Sequence, residues 1–287
     1  TQVIHQAWKP VTVFLNGQYW GHMNLRERVD RFFIAQFEGL SLDQADEMDI
    51  LEANGSVNFG SNKAYRAMLK KIKAGSPATN PDDLQYILDN VDVDNLFEYM
   101  ALEMFVGNSD IGNIRYYRLH QEGSKWKWIW YDADYGLYSS KFNSPWSYLK
   151  VKGMGEQKID NTIFLKLLEH PDYKRKFLEK LADVYKTFTT EYMTQVLDGV
   201  VAEIQPEMKN HWERWGELND KAVTSEVPTT IDGAYTYWES RVNRLYNTLK
   251  VRPHRLWDFI KDEFKLTKTE MEELFGPQPD YPDDAVL

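Results

Sequence analysis

The sequence predicts an α+β fold in which two β-hairpins accompany a body that is mostly helical. Three observations predict it. Val11–Leu15 is β-rich, and Asn16-Gly17 turns it back into Gln18–Leu25, a strong short-range hairpin signal. Ile114–His120 and Lys125–Asp134, joined by Gln121-Glu122-Gly123-Ser124, read as a second hairpin. From Thr162 onward, apolar residues recur at helical spacing almost to the end of the 287 residues.

Each element has a local reason. Arg26-Glu27-Arg28-Val29-Asp30 opens a helix with Val29, Phe32, Phe33 and Phe37 at helical spacing, and Gly39 ends it. Residues 41–62 are polar, with Asn54-Gly55 and Gly60 marking turns. Lys63–Lys73 is amphipathic and stops at Gly75-Ser76-Pro77, and Pro81–Leu88 forms a short helix. Asp94 caps a helix from Leu96 to Val106 that is too apolar for a surface. It runs into Gly107-Asn108-Ser109-Asp110-Ile111-Gly112-Asn113, a stretch of turn formers. Beyond Tyr138 a loop carries Pro145, Gly153 and Gly155. Helices follow at Thr162–Glu169, Pro171–Phe188, Glu191–Ile204, Pro206–Leu218, Gly233–Lys250, Pro253–Phe264 and Thr267–Phe275, and the tail from Gly276 frays.

Composition excludes several function classes. Lys and Arg number 34 against 44 Asp and Glu, a net charge of −10, which opposes a nucleic-acid partner because phosphates are neutralised by Lys and Arg. No apolar run approaches the ~20 residues of a membrane helix. Cysteine is absent, removing disulfides and thiolate chemistry. The six histidines are scattered without a zinc-ligand spacing. The first residue is Thr1 and a strand-like run begins almost at once, so the chain reads as a trimmed product or a fragment.

Two segments carry candidate chemistry. In Trp126-Lys127-Trp128-Ile129-Trp130-Tyr131-Asp132-Ala133-Asp134, an extended strand would set Trp126, Trp128, Trp130, Asp132 and Asp134 on one face. Acids beside an aromatic surface lose hydration and repel each other, and a divalent cation relieves both penalties. A second reading has the strand end exposed and the acids solvated or paired with Arg or Lys. In the loop after the apolar helix, Asp110 and Asn113 suit a general base and a neutral oxygen ligand. The same residue types also simply form turns.

Taken together, a buried helix, a loop with Asp and Asn, a hairpin and then Asp follow the order of parts in a protein-kinase large lobe. The chain resembles the CotH-like kinases, the spore coat protein H type with an atypical protein-kinase fold. The residues that carry the resemblance are Val13–Gly21, Asn24-Leu25-Arg26-Glu27-Arg28-Val29-Asp30, Asn108-Ser109-Asp110 with Asn113–Tyr117, Trp130–Asp134, Tyr237–Arg241 and Arg252-Pro253.

The resemblance implies a single kinase-like domain over residues 1–287. Residues 1–28 would be a small-lobe remnant and hinge, 29–275 the helical large lobe, and 276–287 the tail. It implies phosphotransfer from ATP, with Mg or Mn, to Ser hydroxyls of a protein substrate at an extracytoplasmic site or a cell or spore surface. Asp110 would be the catalytic base, with Asn113, Asp132 and Asp134 at the metal and Glu27, Arg26 and His22 near the adenine. One spacing differs from that of most kinases. Base to Asn is normally five residues, whereas Asp110 to Asn113 is three and Asn108 holds the five-residue position. The Gly-rich phosphate loop and small-lobe Lys would lie ahead of the first hairpin, outside this chain. Two other functions remain open: a non-catalytic binding or structural protein on a degenerate kinase fold, and a glycan-active protein using indoles and paired acids.

Overall fold

The computed structural model describes residues 2–150, 159–215 and 230–282. Strands β1 (Trp8–Leu15) and β2 (Gln18–Arg26) pair antiparallel across Asn16-Gly17, with Val11 opposite Met23 and a bulge at Val13/Phe14. The expected helix from Arg26 begins later. β2 runs to Arg26, and helix α1 (Arg31–Phe37) starts behind Asp30, whose carboxylate accepts the N–H groups of Phe32 and Phe33 at 3.0 and 3.2 Å. A true N-cap overrides apolar spacing as the start signal. Val29 and Phe33 are buried as expected, while Phe32 and Phe37 are exposed and Ile34 and Ala35 fill the core instead.

Residues 41–62 are more than a polar loop. They contain β3 (Met48–Glu52) and β4 (Ser56–Phe59). β3 lies between β4 and β5 (Arg115–Leu119), and β6 (Lys127–Ile129) completes the sheet in the order β4-β3-β5-β6. A central strand is covered on both faces, so it carries no polar alternation to read. Asp49, buried within it, accepts the Ser61 N–H at 2.7 Å and faces His120 at 3.1 Å.

Helices α2 (Lys63–Ala74) and α3 (Pro81–Asn90) match expectation. Helix α4 (Val93–Val106) begins three residues earlier than predicted, because Asp92 rather than Asp94 caps it through the Asn95 N–H at 3.1 Å. Beyond the second hairpin come α5 (Ser144–Leu149), unforeseen in the Pro145 loop, α6 (Thr162–Leu168) and α7 (Pro171–Thr187). The Gly153 and Gly155 loop, the end of the helix expected to reach Leu218, and the last tail residues lie outside the described residues. Helices α8 (Thr190–Trp215) and α9 (Ile231–Phe264) each run through a proline expected to divide them, Pro206 and Pro253. Proline removes a donor and strands the carbonyl four residues back. For Pro253 that carbonyl, on Leu249, accepts from the Thr190 hydroxyl at 3.2 Å. α10 (Lys268–Phe275) closes with a Thr267/Glu270 capping box.

Packing divides the chain into two units. The first comprises residues 1–6, 28–187 and 252–280, and the second 7–27, 188–251 and 281–287. In the second unit β2 packs on α8. Trp215 donates its indole N–H to the Trp20 carbonyl at 2.7 Å, and Tyr19 donates to Glu207 at 3.1 Å.

In the first unit α4 is the axis. Phe97, Phe164 and Phe177 cluster around it with centroids 4.8–6.2 Å apart. Asn95, buried on α4, holds the backbone of Trp128 from both ends: its amide oxygen accepts the Trp128 N–H at 2.6 Å and its amide nitrogen donates to the Trp128 carbonyl at 3.2 Å. Asn95→Ala is expected to cost about 2–4 kcal/mol, because it leaves two buried backbone groups unpaired. Urea unfolding checks it, and a loss below about 0.5 kcal/mol, the range of an ordinary surface change, would show that the bracket carries no weight.

Candidate functional site

The loop after α4 forms one half of the site. Asn108 is 1% exposed, and its amide oxygen accepts the Asp110 N–H at 3.1 Å, closing an Asx turn. Asn108, five residues before Asn113, is thus committed to structure. Asp110 is the carboxylate this loop leaves only half-buried.

The segment after β6 forms the other half. The expected single face of three indoles and two acids is not realised. β6 ends at Ile129, Trp130 keeps only a bridge to His5, and Asp132 turns left-handed at φ 56°. Side chains alternate only while the backbone stays extended. Trp126 and Trp128 are core residues, packed on Tyr65 and Tyr116, so they offer no platform for a sugar. Asp132 is half-buried and Asp134 exposed.

The two halves meet. The Asn113 amide nitrogen donates to the Asp132 carboxylate, and its oxygen accepts from the Tyr131 hydroxyl at 2.6 Å. The Arg115 guanidinium lies 4.6 Å from the centre of the Tyr131 ring, which it covers. The Asp110 carboxyl is raised above its ordinary value, first by burial and then by the negative charges of Asp132 and Asp134. Among the described residues, no Lys or Arg forms an ion pair with any of these three acids.

Such a donor set fits a hard cation. Mg²⁺ characteristically takes one or two carboxylates and completes its shell with water and phosphate oxygens. Among the described residues no three His, Asp or Glu side chains gather as a metal cage; the oxygens a cation could take here are those of Asp132, Asn113 and Asp134. A tyrosine hydroxyl can accept as well as donate. Reversing the Asn113 amide therefore turns its oxygen toward Asp132 without giving up Tyr131.

A family model described as CotH kinase protein matches residues 1–256. The chain belongs to the CotH kinase protein family. No curated protein matches it. The CotH kinase match spans Asp110, Asn113, Asp132 and Asp134, all in the first unit, as well as His22, Arg26 and Glu27, which belong to the second. His22 lies in β2, its backbone N–H donating to His211 Nδ1 at 3.2 Å. Arg26 ends that strand and is exposed. Glu27 uses its carboxylate to accept the Ala7 N–H at 2.8 Å.

Sequence reasoning missed two groups around this candidate site, Tyr131 and Glu103. Nothing in the pattern marks Tyr131. Glu103 had a signal, since an acid inside a helix that is apolar all round requires partners. It is 1% exposed and accepts from the Tyr148 hydroxyl at 2.9 Å. Burial pushes its carboxyl up to about 7, against the pull of Tyr148, Asn108, Trp130 and Tyr99.

A raised carboxyl stabilises the fold below its unfolded value of 4.5 and loses that contribution as the pH rises toward 7. Ionising Glu103 in place is expected to cost about 3 kcal/mol across that window. Relative to Glu103→Gln, wild-type unfolding free energy should therefore fall by that amount from pH 4.5 to pH 7.5. A difference between the two proteins that does not vary with pH would refute it.

Proposed function

We propose that this CotH kinase family member transfers the γ-phosphoryl group of ATP to serine hydroxyls of a protein substrate, with Asp110 as catalytic base. The observation that supports the reading best is the meeting of Asn113 with Asp132 beside Asp110. Two sequence segments about twenty residues apart supply a base and hard oxygen donors at one place, as phosphoryl transfer requires.

In this reading Asn113 and Asp132 hold Mg²⁺ or Mn²⁺, with Asp134 beside them. A divalent ion bound there neutralises charge on the transferring phosphoryl group. Asp110 accepts the proton of the serine hydroxyl as its oxygen bonds to phosphorus and the bond to the ADP oxygen breaks. Burial and its two acidic neighbours raise the Asp110 carboxyl, which strengthens it as a base near neutral pH. Tyr131 and Asn108 orient Asn113 and Asp110. His22, Arg26 and Glu27 are the residues proposed for the adenine. A single kinase-like domain, with residues 1–28 as small-lobe remnant and hinge, 29–275 as the helical lobe and 276–287 as tail, is part of the same proposal. So is work outside the cytoplasm or at a cell or spore surface. No helix among the described residues is long and apolar enough to cross a membrane.

Two substitutions test the roles separately. Asp132→Asn should abolish Mn²⁺-dependent ATP binding, measured by calorimetry, while Tm stays within a few degrees; unchanged nucleotide affinity would remove Asp132 from the metal. Asp110→Ala should retain ATP and lower the transfer rate by about 10²–10⁴-fold. A variant as fast as wild type would pass the role of base elsewhere. Wild-type protein that binds Mn²⁺ and ATP without transferring phosphate would favour the non-catalytic binding function.

A further inference from the structure

We infer that Arg252, remote in sequence from every candidate residue, is a positioning residue that clamps the end of α4 to the segment after Asp134 and so fixes the two halves of the site against each other. The argument begins with the helix end. The last four carbonyls of any helix lack intrahelical partners, and α4 ends inside the protein, where each must find one. The Glu103 carbonyl accepts the N–H groups of Gly107 at 3.0 Å and Asn108 at 3.2 Å, and the Val106 carbonyl accepts the Leu137 N–H at 2.6 Å. The Phe105 carbonyl accepts from Arg252 Nε at 3.2 Å. The Met104 carbonyl accepts from Arg252 Nη2 at 2.9 Å and from the Ser144 hydroxyl at 2.5 Å.

The other side of the guanidinium reaches the segment beyond the acids. Nη1 donates to the Phe142 carbonyl at 2.6 Å and Nη2 to the Ser144 hydroxyl at 2.6 Å. One planar fork thus holds Met104 and Phe105 ahead of the Asp110 loop, and Phe142 and Ser144 behind the Asp132–Asp134 turn. Arg252 is 1% exposed and all its hydrogen bonds here go to neutral oxygens. Burial lowers its pKa to about 9, so it stays cationic at neutral pH, next to the negative end of the α4 dipole.

Backbone choices nearby agree. Gly107 is left-handed at φ 66°, and a Cβ there would stand 2.8 Å from Arg252 Nη2. A Cβ on Gly136 would stand 2.8 Å from the Ala133 carbonyl and 3.0 Å from Val106 Cγ2. Both segments approach the helix end too closely for a side chain. Lysine cannot replace this arginine, since it offers a point charge rather than a fork.

The kinetic consequence rests on the phosphotransfer reading; the clamp itself is read without it. Arg252→Lys keeps the charge. In that variant, amide exchange of Asn108, Asp110 and Leu137 is expected to accelerate by about 10–100-fold, while Ile50 and Leu51 in the central strand remain as in wild type. The kcat for a Ser peptide with Mn²⁺ and ATP should fall by about 10–100-fold, with KM for the peptide unchanged, as displacement of reacting groups predicts. Ser144→Ala, which removes one bond to the same fork, should shift exchange and kcat the same way by a few-fold and serves if Arg252→Lys does not fold. Unchanged exchange at those three amides overturns the clamp. Faster exchange with an intact kcat overturns the positioning role. Wild-type protein without transfer activity would defeat the phosphotransfer reading and leave the exchange result to decide the clamp.

Discussion

The constraint on which the first unit depends is that α4 is buried along nearly its whole length, so every polar group it carries must be answered by something packed against it. Twelve of its fourteen residues are buried. Asn95 answers the backbone of Trp128, Glu103 answers Tyr148, and the terminal carbonyls answer Arg252, Ser144 and Leu137. The partners come from four stretches of chain: β6, the segment at Leu137, α5 and α9. The helix therefore acts as a jig: satisfying its polar groups sets β6, α5 and the two loops that carry the acids. Because unpaired buried groups cost about 1–3 kcal/mol each, these stretches cannot drift independently.

Electrostatics then distinguishes the site from its frame. Elsewhere in this unit the buried Asp49 has His120, and the half-buried Glu38 has Lys127 and Tyr117. Asp110, Asp132 and Asp134 have instead an amide and one another, and the cost appears as the raised Asp110 carboxyl. Packing does not require that arrangement, since a single lysine would relieve it. This arrangement of acids beside an amide is what supports the cation site proposed at Asn113 and Asp132.

Much of this was legible in the sequence, for local reasons. The Asn16-Gly17 hairpin, α2, α3 and the apolar character of α4 follow from turn chemistry and periodicity, and Asp110, Asn113 and Asp132 stood out as acids and amides against apolar runs. Long-range facts escaped. β3 is covered on both faces and so lacks alternation, and Pro253 continues a helix because Thr190, far away in sequence, takes the freed carbonyl. The indole-and-acid face failed because it assumed an extended backbone through Asp132. Arg252 was visible only as part of a family resemblance, since its partners lie more than a hundred residues away.

The left-handed backbone at Asp132 links these points. A non-glycine residue there costs about 1–3 kcal/mol, and such strain persists only where the surroundings impose it. The surroundings do so here: Asn95 holds Trp128 upstream, and the Val106 carbonyl holds the N–H of Leu137, itself left-handed at φ 57°, downstream. Between these anchors the chain must reverse in a few residues, and glycine would reverse it more cheaply. Glycine has no carboxylate. With Asp132 the turn keeps its strain and gains an acid bonded to Asn113, so the reversal after β6 also directs an acid toward the loop that carries Asp110. Backbone preference alone favours glycine at that position, and the carboxylate it would lack is what supports the metal role proposed for Asp132.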